Sequence, residues 1–500
     1  MKLKKIKWFY VCLLIVFSVL MARLVMLVVV EGKKFKALAE ENRIKVINLP
    51  ADRGVIYDRF GELLVRNIPE GREYIYSTAL SQVLGYVGEV SEEELERFSV
   101  YSMGDIIGKI GIEKEYDQLL RGKDGGILVE TDADGEVIRE IGRSESIAGK
   151  NLHVYLDAGL QRKAYELLEA RKGSVVVSVP ETGEILALVS SPGFDVNLFG
   201  KEKSDNKKIE RILNDKDLPM FNRAISGEYP PGSVFKIITA VGALEEGKVD
   251  EATKIEDIGE IKVGIWRFGN WYYDQYGQKE GIIGIVRAIA RSNDIFFYKL
   301  GEWLGIVSLS DWAKYFGLNS LTGIDLGGEA YGLMPNPEWK KEYKEEDWYL
   351  GDTYISAIGQ GDILMTPLQV NQMTGVIASK GKLCKPMIVK AEVDCKDLDI
   401  STKTLETVTE GMRQVCETGG TAFPFFDFKV KGERIVTAGK TGTAEFGQVE
   451  DEETHAWMTI FAPVEKPEIL VTVMIEEAGQ GSGEAAPVAK DILNYWFERQ

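Results

Sequence analysis

The hydrophobic positions of this chain begin with one unbroken run near the N-terminus. Residues 8–30 are apolar apart from Ser18 and Arg23. As a helix, a run of roughly 23 residues at about 1.5 Å each is long enough to cross a bilayer. Lysines precede the run, and this charge asymmetry predicts a cytoplasmic N-terminus with the rest of the chain outside. We therefore expect an uncleaved membrane anchor. A cleaved signal peptide is the alternative, although the run is long for one and no small-residue cleavage site ends it.

Beyond the anchor, the pattern changes again near residue 151. Before this point short strands and helices are predicted, including helices over 91–97 and 111–120. Nothing there resembles a catalytic constellation, and a spacer or docking platform is the modest interpretation. The expected divisions are a cytoplasmic tail at 1–7, a transmembrane anchor at 8–30, a pedestal or dimerisation-type module at 31–150 and a main domain at 151–500.

Strand patterns occur at both ends of the main domain. Buried runs at 174–179 and 184–189 predict a hairpin near its start. Near its end, apolar strand patterns at 440–444, 455–462 and 469–476 precede a helical pattern at 485–497. Helices and loops fill the sequence between. This order predicts an α+β fold with one antiparallel sheet sandwiched by helices.

Composition and charge narrow the function classes. The 500 residues are 45% hydrophobic and 28% charged, as in ordinary globular proteins. Of the net charge of -18, the first 30 residues contribute only cations, so the remainder carries -23. A nucleic-acid surface needs a basic footprint, so this balance argues against a nucleic-acid partner.

Cysteine and histidine are too sparse for a metal centre. The chain has four cysteines and two histidines, with no CxxC pair and no cluster at metal-ligand spacing, so we expect no zinc site. Cys384 and Cys395 flank an expected strand at 386–393, which would hold them far apart. We therefore expect no disulfide framework among Cys384, Cys395 and Cys416.

Ser233 and Lys236 are the first candidate for chemistry. Two prolines and a glycine precede Ser233 and a periodic apolar run follows, which predicts a helix start. Residues three apart share a helix face, so the Lys236 amine can meet the Ser233 hydroxyl. A weak nucleophile beside a base is the minimum for covalent acyl transfer. Lysine serves as a base only when neutral, which requires a pKa lowered by burial or a neighbouring cation.

Lys440-Thr-Gly-Thr443 is the second candidate. An extended edge strand with Gly442 lets a peptide approach closely and pair as an added strand. The hydroxyls of Thr441 and Thr443 can bond a carboxylate, and Lys440 supplies positive potential. A surface turn after a strand is the alternative.

Ser292-Asn293-Asp294 is the third candidate. This polar trio interrupts an apolar stretch and must find partners if buried. Ser292 can relay a proton between the two lysines, and Asn293 or Asp294 can orient Lys236. A helix-end cap is the alternative.

The three candidates, in this order and spacing, resemble the penicillin-binding protein and serine β-lactamase family. The resemblance covers nearly the whole chain and narrows to class B penicillin-binding proteins. Asp294 stands where most relatives have asparagine, which resembles the elongation-type branch. Supporting segments lie at 53–59, 111–116, 222–224, 323–326, 351–352, 358–361, 366–369 and 485–487.

The resemblance implies a role for each site residue. Ser233 is the expected acyl-enzyme nucleophile, Lys236 its base and Ser292 a proton relay, with the backbone N–H groups of Ser233 and Thr443 as the oxyanion hole. The expected catalytic residues are Ser233, Lys236, Ser292, Asp294 and Lys440, and the expected substrate-binding residues are Asn293, Thr441, Gly442 and Thr443.

The implied activity is a cell-membrane peptidoglycan D,D-transpeptidase that cross-links stem peptides in cell elongation and shape. β-Lactams are the expected inhibitors, a multi-span glycosyltransferase is the expected partner, and no cofactor is needed. A D,D-carboxypeptidase or β-lactamase, which passes the acyl group to water, is one alternative; the two-part ectodomain disfavours it. A non-catalytic β-lactam sensor or scaffold is another.

Overall fold

The computed structural model describes residues 2–36, 43–69, 71–132, 134–199, 205–446 and 453–499. The chain divides into two compact units, one comprising Met1–Gly54 with Arg121–Lys150 and the other Val55–Leu120 with Asn151–Gln500. Residues 55–120 of the expected pedestal module thus pack in the same unit as the expected main domain. The module boundaries at residues 30 and 150 stay predictions.

The first unit contains the apolar run and a small sheet. The run forms a helix, Lys2–Val25, that continues as a π-helical turn, Met26–Val30. By length and composition, the segment Leu3–Val30 is able to cross a membrane. The three antiparallel strands of the sheet are Ile44–Leu49, Gly125–Thr131 and Val137–Ser144, with the second in the middle.

The second unit is built on a five-stranded antiparallel sheet, which confirms the predicted α+β architecture. Every residue of the strands Ile185–Ser191, Gly173–Ser178 and Ile469–Ile475 is buried, so both faces of this part of the sheet are covered. The last strand lies at an edge, where its backbone has sheet partners on one side only among the described residues. From edge to edge, the strands are Ile185–Ser191, Gly173–Ser178, Ile469–Ile475, Glu453–Ala462 and Ala438–Phe446.

Helices pack directly on this sheet. Pro367–Ala378 begins with a capping box between Thr366 and Gln369 and then lies against the central strands. Its Asn371 side chain donates to Thr472 Oγ1 in the sheet at 3.2 Å. Two further helices, Ala158–Leu167 and Ala485–Glu498, contact each other and the sheet.

Shorter elements complete the second unit. The remaining strands are Ile56–Tyr57, Leu63–Ile68, Gly71–Tyr74, Val87–Glu89, Ile106–Gly108, Leu152–His153, Ile255–Asp257, Glu260–Val263, Trp266–Gly269, Gly281–Ile283, Lys382–Cys384, Cys395–Asp397, Lys429–Val430 and Glu433–Arg434. The remaining α-helices are Ser81–Leu84, Glu92–Arg97, Gly111–Glu115, Asp117–Arg121, Asn206–Leu213, Lys236–Glu245, Trp271–Tyr276, Ile285–Arg291, Asp294–Leu304, Ile306–Tyr315, Pro337–Lys344, Leu350–Ala357 and Thr402–Val415. Short 3₁₀ turns occur at Val196–Leu198, Gly232–Phe235 and Phe423–Phe425.

Cys384 and Cys395 form a disulfide, so the expectation that they lie far apart is wrong. The expected strand at 386–393 is absent; this segment makes only isolated bridges through Met387 and Val389. It is instead the loop of a hairpin whose register sets the two cysteines opposite each other, with their Cα atoms 4.0 Å apart. Cys416 stays a free, buried thiol, and burial raises its pKa to about 12.

A buried ion pair between Arg72 and Glu113 provides a test of this packing. Their side chains are 3% and 0% exposed. Glu113→Gln removes the negative charge opposite a buried guanidinium, and we expect the free energy of unfolding to fall by about 3 kcal/mol or more. The matched control is Glu73→Gln, because Glu73 pairs with Arg66 at the surface, where such pairs contribute about 1 kcal/mol or less. Denaturant unfolding of the detergent-solubilised chain measures both, and equal losses would contradict the prediction.

Candidate active site

Ser233 lies in a 3₁₀ turn, Gly232–Phe235, that leads directly into the helix Lys236–Glu245. Gly232 has a φ of +54°, a conformation that side chains disfavour, and a Cβ there would lie 2.7 Å from the carbonyl oxygen of Thr443. Glycine therefore lets the turn approach the edge strand closely. Ser233 is half-buried, and no described residue forms a hydrogen bond with its hydroxyl.

Hydrogen bonds from two directions hold this turn. Trp457 in the sheet donates its indole N–H to the carbonyl oxygen of Pro230 at 3.0 Å. The backbone N–H of Gly232 donates to the carbonyl oxygen of Gly359 at 2.8 Å. The backbone just before Ser233 is thus held both by the sheet, through Trp457, and by the loop at Gly359. A nucleophile needs such fixed positioning.

The Lys236 amine is buried, with 0% of its side chain exposed. Its Nζ donates to Asp294 Oδ1 at 2.6 Å, to the carbonyl oxygen of Ser292 at 2.9 Å and to Ser292 Oγ at 3.2 Å. The ring of Phe297 lies 5.4 Å from the same nitrogen. Lys236 thus bonds the Ser292 segment, while the spacing of three residues keeps it on the helix face of Ser233.

Lys440 reaches the same place from the edge strand. It is fully buried, and its Nζ donates to Ser292 Oγ at 2.9 Å and to the carbonyl oxygen of Thr441 at 2.9 Å. One hydroxyl, Ser292 Oγ, is therefore within hydrogen-bond distance of both lysine amines. Because a hydroxyl both donates and accepts, it can pass a proton between them when one amine is neutral.

Burial sets the protonation of both lysines. Loss of solvent lowers the pKa of Lys236, and the charge and hydrogen bond of Asp294 oppose this fall. Burial also lowers the pKa of Lys440 well below its ordinary value, with a further lowering from the charge of Lys236, while Asp294 again opposes it. The Asp294 carboxylate thus faces two buried amines, an arrangement that favours a neutral amine in the site.

The Ser292 segment joins two helices, Ile285–Arg291 and Asp294–Leu304, and Ser292 adopts the left-handed conformation at φ 53°. Asn293 caps the second helix, accepting from the N–H of Phe296 at 2.9 Å, and its Nδ2 donates to Asp257 at 2.9 Å. The cap interpretation therefore holds for Asn293, whereas Ser292 and Asp294 contact the lysines. A substrate contact by Asn293 stays a prediction.

The threonines of the edge strand also have partners within the chain. Thr441 Oγ1 lies 2.7 Å from Thr421 Oγ1, and Thr443 Oγ1 accepts from the N–H of Gly481 at 3.3 Å. A Cβ on Gly442 would lie 3.0 Å from the carbonyl oxygen of Pro231, so this glycine makes room for the Ser233 turn. The substrate-binding roles of Thr441, Gly442 and Thr443 stay predictions.

Three residues around Asp294 were not anticipated. Asn270 Oδ1 accepts from the backbone N–H of Asp294 at 3.2 Å, and the backbone N–H of Trp271 donates to Asp294 Oδ2 at 3.0 Å. Asp257 in turn accepts from Asn270 and Asn293. Asn270 before a helix is a recognisable cap signal, but a lone aspartate such as Asp257 carries no sequence signature.

Two family models match successive segments of this chain. Residues 173–494 match the penicillin binding protein transpeptidase domain, and residues 68–154 match the penicillin-binding protein dimerisation domain. The peptidoglycan D,D-transpeptidase MrdA of Haemophilus influenzae is 31% identical, over 98% of this chain and 90% of that protein.

Solved structures give the same result. Penicillin-binding protein PBP2 of Helicobacter pylori, in complex with MreC, superimposes with a TM-score of 0.81 at 29% identity, covering 91% of this chain and 99% of that one. A structure described as the structural coordination of polymerization and crosslinking by a peptidoglycan synthase complex has a TM-score of 0.80 at 27% identity, covering 99% and 98%.

Asp294→Asn tests the opposition between burial and charge at Lys236. The groups that face this amine are Asp294, Ser292, Lys440 and the ring of Phe297. Asparagine keeps an oxygen for the amine but removes the charge that raises its pKa, so the pKa of Lys236 falls. Because only the neutral amine accepts a proton, we expect the rate of acylation by a β-lactam to begin rising at lower pH than in the wild type.

The matched control for this pH profile is Asp274→Asn. Asp274 pairs with Arg267 where both side chains are exposed, so the profile should not move. A wild-type profile for Asp294→Asn, or a rise displaced to higher pH, would contradict the prediction.

Proposed function

This chain belongs to the penicillin-binding protein transpeptidase family as a class B peptidoglycan D,D-transpeptidase of the elongation type, and we propose that Ser233 is its acylated nucleophile. The observation that carries the proposal is the Ser292 hydroxyl, which is within hydrogen-bond distance of both the Lys236 and the Lys440 amine. Lys236 begins the helix that follows the Ser233 turn, and Lys440 lies on the open edge strand of the sheet. This arrangement supplies a base and a proton path next to a surface that can accept an extended peptide.

In the first half of the reaction, the Ser233 oxygen bonds to the carbonyl carbon of the penultimate D-alanine of a stem peptide. Its proton passes to the neutral Lys236 amine. The N–H groups of Ser233 and Thr443 stabilise the negative charge on the carbonyl oxygen, as does the helix N-terminus. When the carbon–nitrogen bond breaks, the departing D-alanine takes up a proton delivered through Ser292.

In the second half, an amine of a neighbouring stem peptide attacks the Ser233 ester. The amine loses a proton to Lys236, a new amide bond forms, and the Ser233 hydroxyl is regenerated. Lys440, Thr441 and Thr443 hold the terminal carboxylate of the donor peptide before cleavage, because N–H and O–H donors suit the oxygens of that group. A β-lactam reacts by the first half alone and leaves Ser233 blocked.

The anchor places this chemistry at a membrane. The apolar helix indicates single-pass anchoring, and the lysines before it support an orientation with the N-terminus in the cytoplasm and the catalytic unit outside. The disulfide between Cys384 and Cys395 supports an oxidising, extracytoplasmic location. A multi-span glycosyltransferase fits as partner, since a structural relative belongs to a complex that couples polymerization to crosslinking.

Labelling with a fluorescent penicillin, followed by peptide mapping, tests the assignment of Ser233. We expect one stable adduct on Ser233, with no label and no cross-linking activity in Ser233→Ala, because Ser233 lies one turn before Lys236 at the open sheet edge and its hydroxyl has no hydrogen-bond partner among the described residues, whereas the Thr239 hydroxyl, one turn after Lys236, is buried and donates to the carbonyl oxygen of Ala357. Ser308→Ala is the control, since Ser308 is also partly buried on a helix, Ile306–Tyr315, but outside the site.

An adduct on another residue would overturn the assignment. Rapid turnover of the label would favour a hydrolase, and cross-linking that persists in Ser233→Ala would favour a scaffold.

A further inference from the structure

Asp257 is a buried carboxylate, 2% exposed, on which four N–H groups converge. Its Oδ1 accepts from the backbone N–H of Gly259 at 2.9 Å. Its Oδ2 accepts from Asn270 Nδ2, Asn293 Nδ2 and the backbone N–H of Glu280, each at 2.9 Å. No cation of the described residues pairs with it, so neutral donors alone compensate the burial of this acid.

The two asparagines held by Asp257 lie on either side of Asp294. Asn270 accepts from the backbone N–H of Asp294 through Oδ1 at 3.2 Å. Asn293 directly precedes Asp294 and caps its helix. The residue after Asn270 is Trp271, and its backbone N–H donates to Oδ2 of Asp294 at 3.0 Å. The position of Asp294 is therefore tied to Asp257 through both asparagines.

Asp294 in turn fixes the Lys236 amine, at 2.6 Å. We propose that Asp257 is a positioning residue for acylation: it orients Asn270 and Asn293, which set the carboxylate of Asp294 against Lys236. This inference rests on the proposed function of Ser233 and Lys236 and adds a residue that touches neither substrate nor the reacting atoms. A base must be held within a fraction of an ångström of its productive position to act efficiently.

The donors around Asp257 explain why this position needs a carboxylate. Three donors meet one oxygen, and a fourth meets the other. An amide at residue 257 can turn its single oxygen toward the three donors, but its NH₂ group then opposes the N–H of Gly259. Alanine loses all four hydrogen bonds. The expected order of acylation rates is therefore aspartate, then asparagine, then alanine.

The test measures acylation of the full-length, detergent-solubilised chain by benzylpenicillin, separating the first-order acylation rate from the dissociation constant of the preceding complex. We expect Asp257→Ala to slow acylation on the order of a hundredfold and Asp257→Asn roughly tenfold, with the dissociation constant unchanged. The control is Asp250→Ala, since Asp250 is exposed and bonds to Thr253 within its own turn. A merely structural role would instead lower the melting temperature and the fraction of molecules labelled at the end point.

A second pair of variants tests the path. Asn270→Ala should slow acylation as Asp257→Asn does, and the two changes together should cost less than the product of their separate effects, because they act on one chain of contacts. The inference would be overturned if the slowing in the double variant equalled the product of the two separate slowings. It would also be overturned if Asp257→Asn acylated at the wild-type rate, and this second result can be obtained even if Asp257→Ala fails to fold. Mapping of the label to Ser233 in the wild type keeps this failure distinct from a failure of the proposed function.

Discussion

The site depends on the burial of two lysine amines around one serine hydroxyl, with one carboxylate beside them. Removing an amine from water disfavours its charged form, and a second nearby cation disfavours it further. Asp294 offsets part of this penalty at Lys236, where it bonds at 2.6 Å, and less at Lys440. The balance lowers the pKa of Lys236, as its proposed role as a base requires. The buried His455 lies outside this group of residues and accepts a hydrogen bond from the backbone N–H of Glu477.

The fold makes this burial possible by bringing three distant segments to one sheet edge. Lys236 follows the Ser233 turn, Ser292 occupies a left-handed turn between helices, and Lys440 comes from the edge strand. The turn approaches the strand closely because Gly232 and Gly442 lack side chains. The other side of the strand is left without sheet partners among the described residues, which is the open edge that the proposed pairing of an extended peptide beside Ser233 requires.

Local patterns were sufficient to predict the main sheet and the residues that meet at the lysines. The runs at 174–179 and 469–476 are mostly apolar, which is typical of buried strands. The proline and glycine before Ser233 predict a helix start. The disulfide was missed because the pairing of Cys384 with Cys395 depends on the register of a hairpin, whereas the apolar residues between them imitate a strand. Asp257 was missed because its partners are neutral N–H groups brought together only by folding.

The most direct test is the titration of Lys236 itself. Nuclear magnetic resonance of the chain carrying ¹³C-labelled lysine side chains would follow this amine, with its signal assigned through Lys236→Arg. A solvated lysine has a pKa of about 10.4. Burial predicts that the pKa of Lys236 lies below this value. A Lys236 that titrates with the surface lysines, or above them, would contradict the account, because the base beside Ser233 would then be a permanent cation.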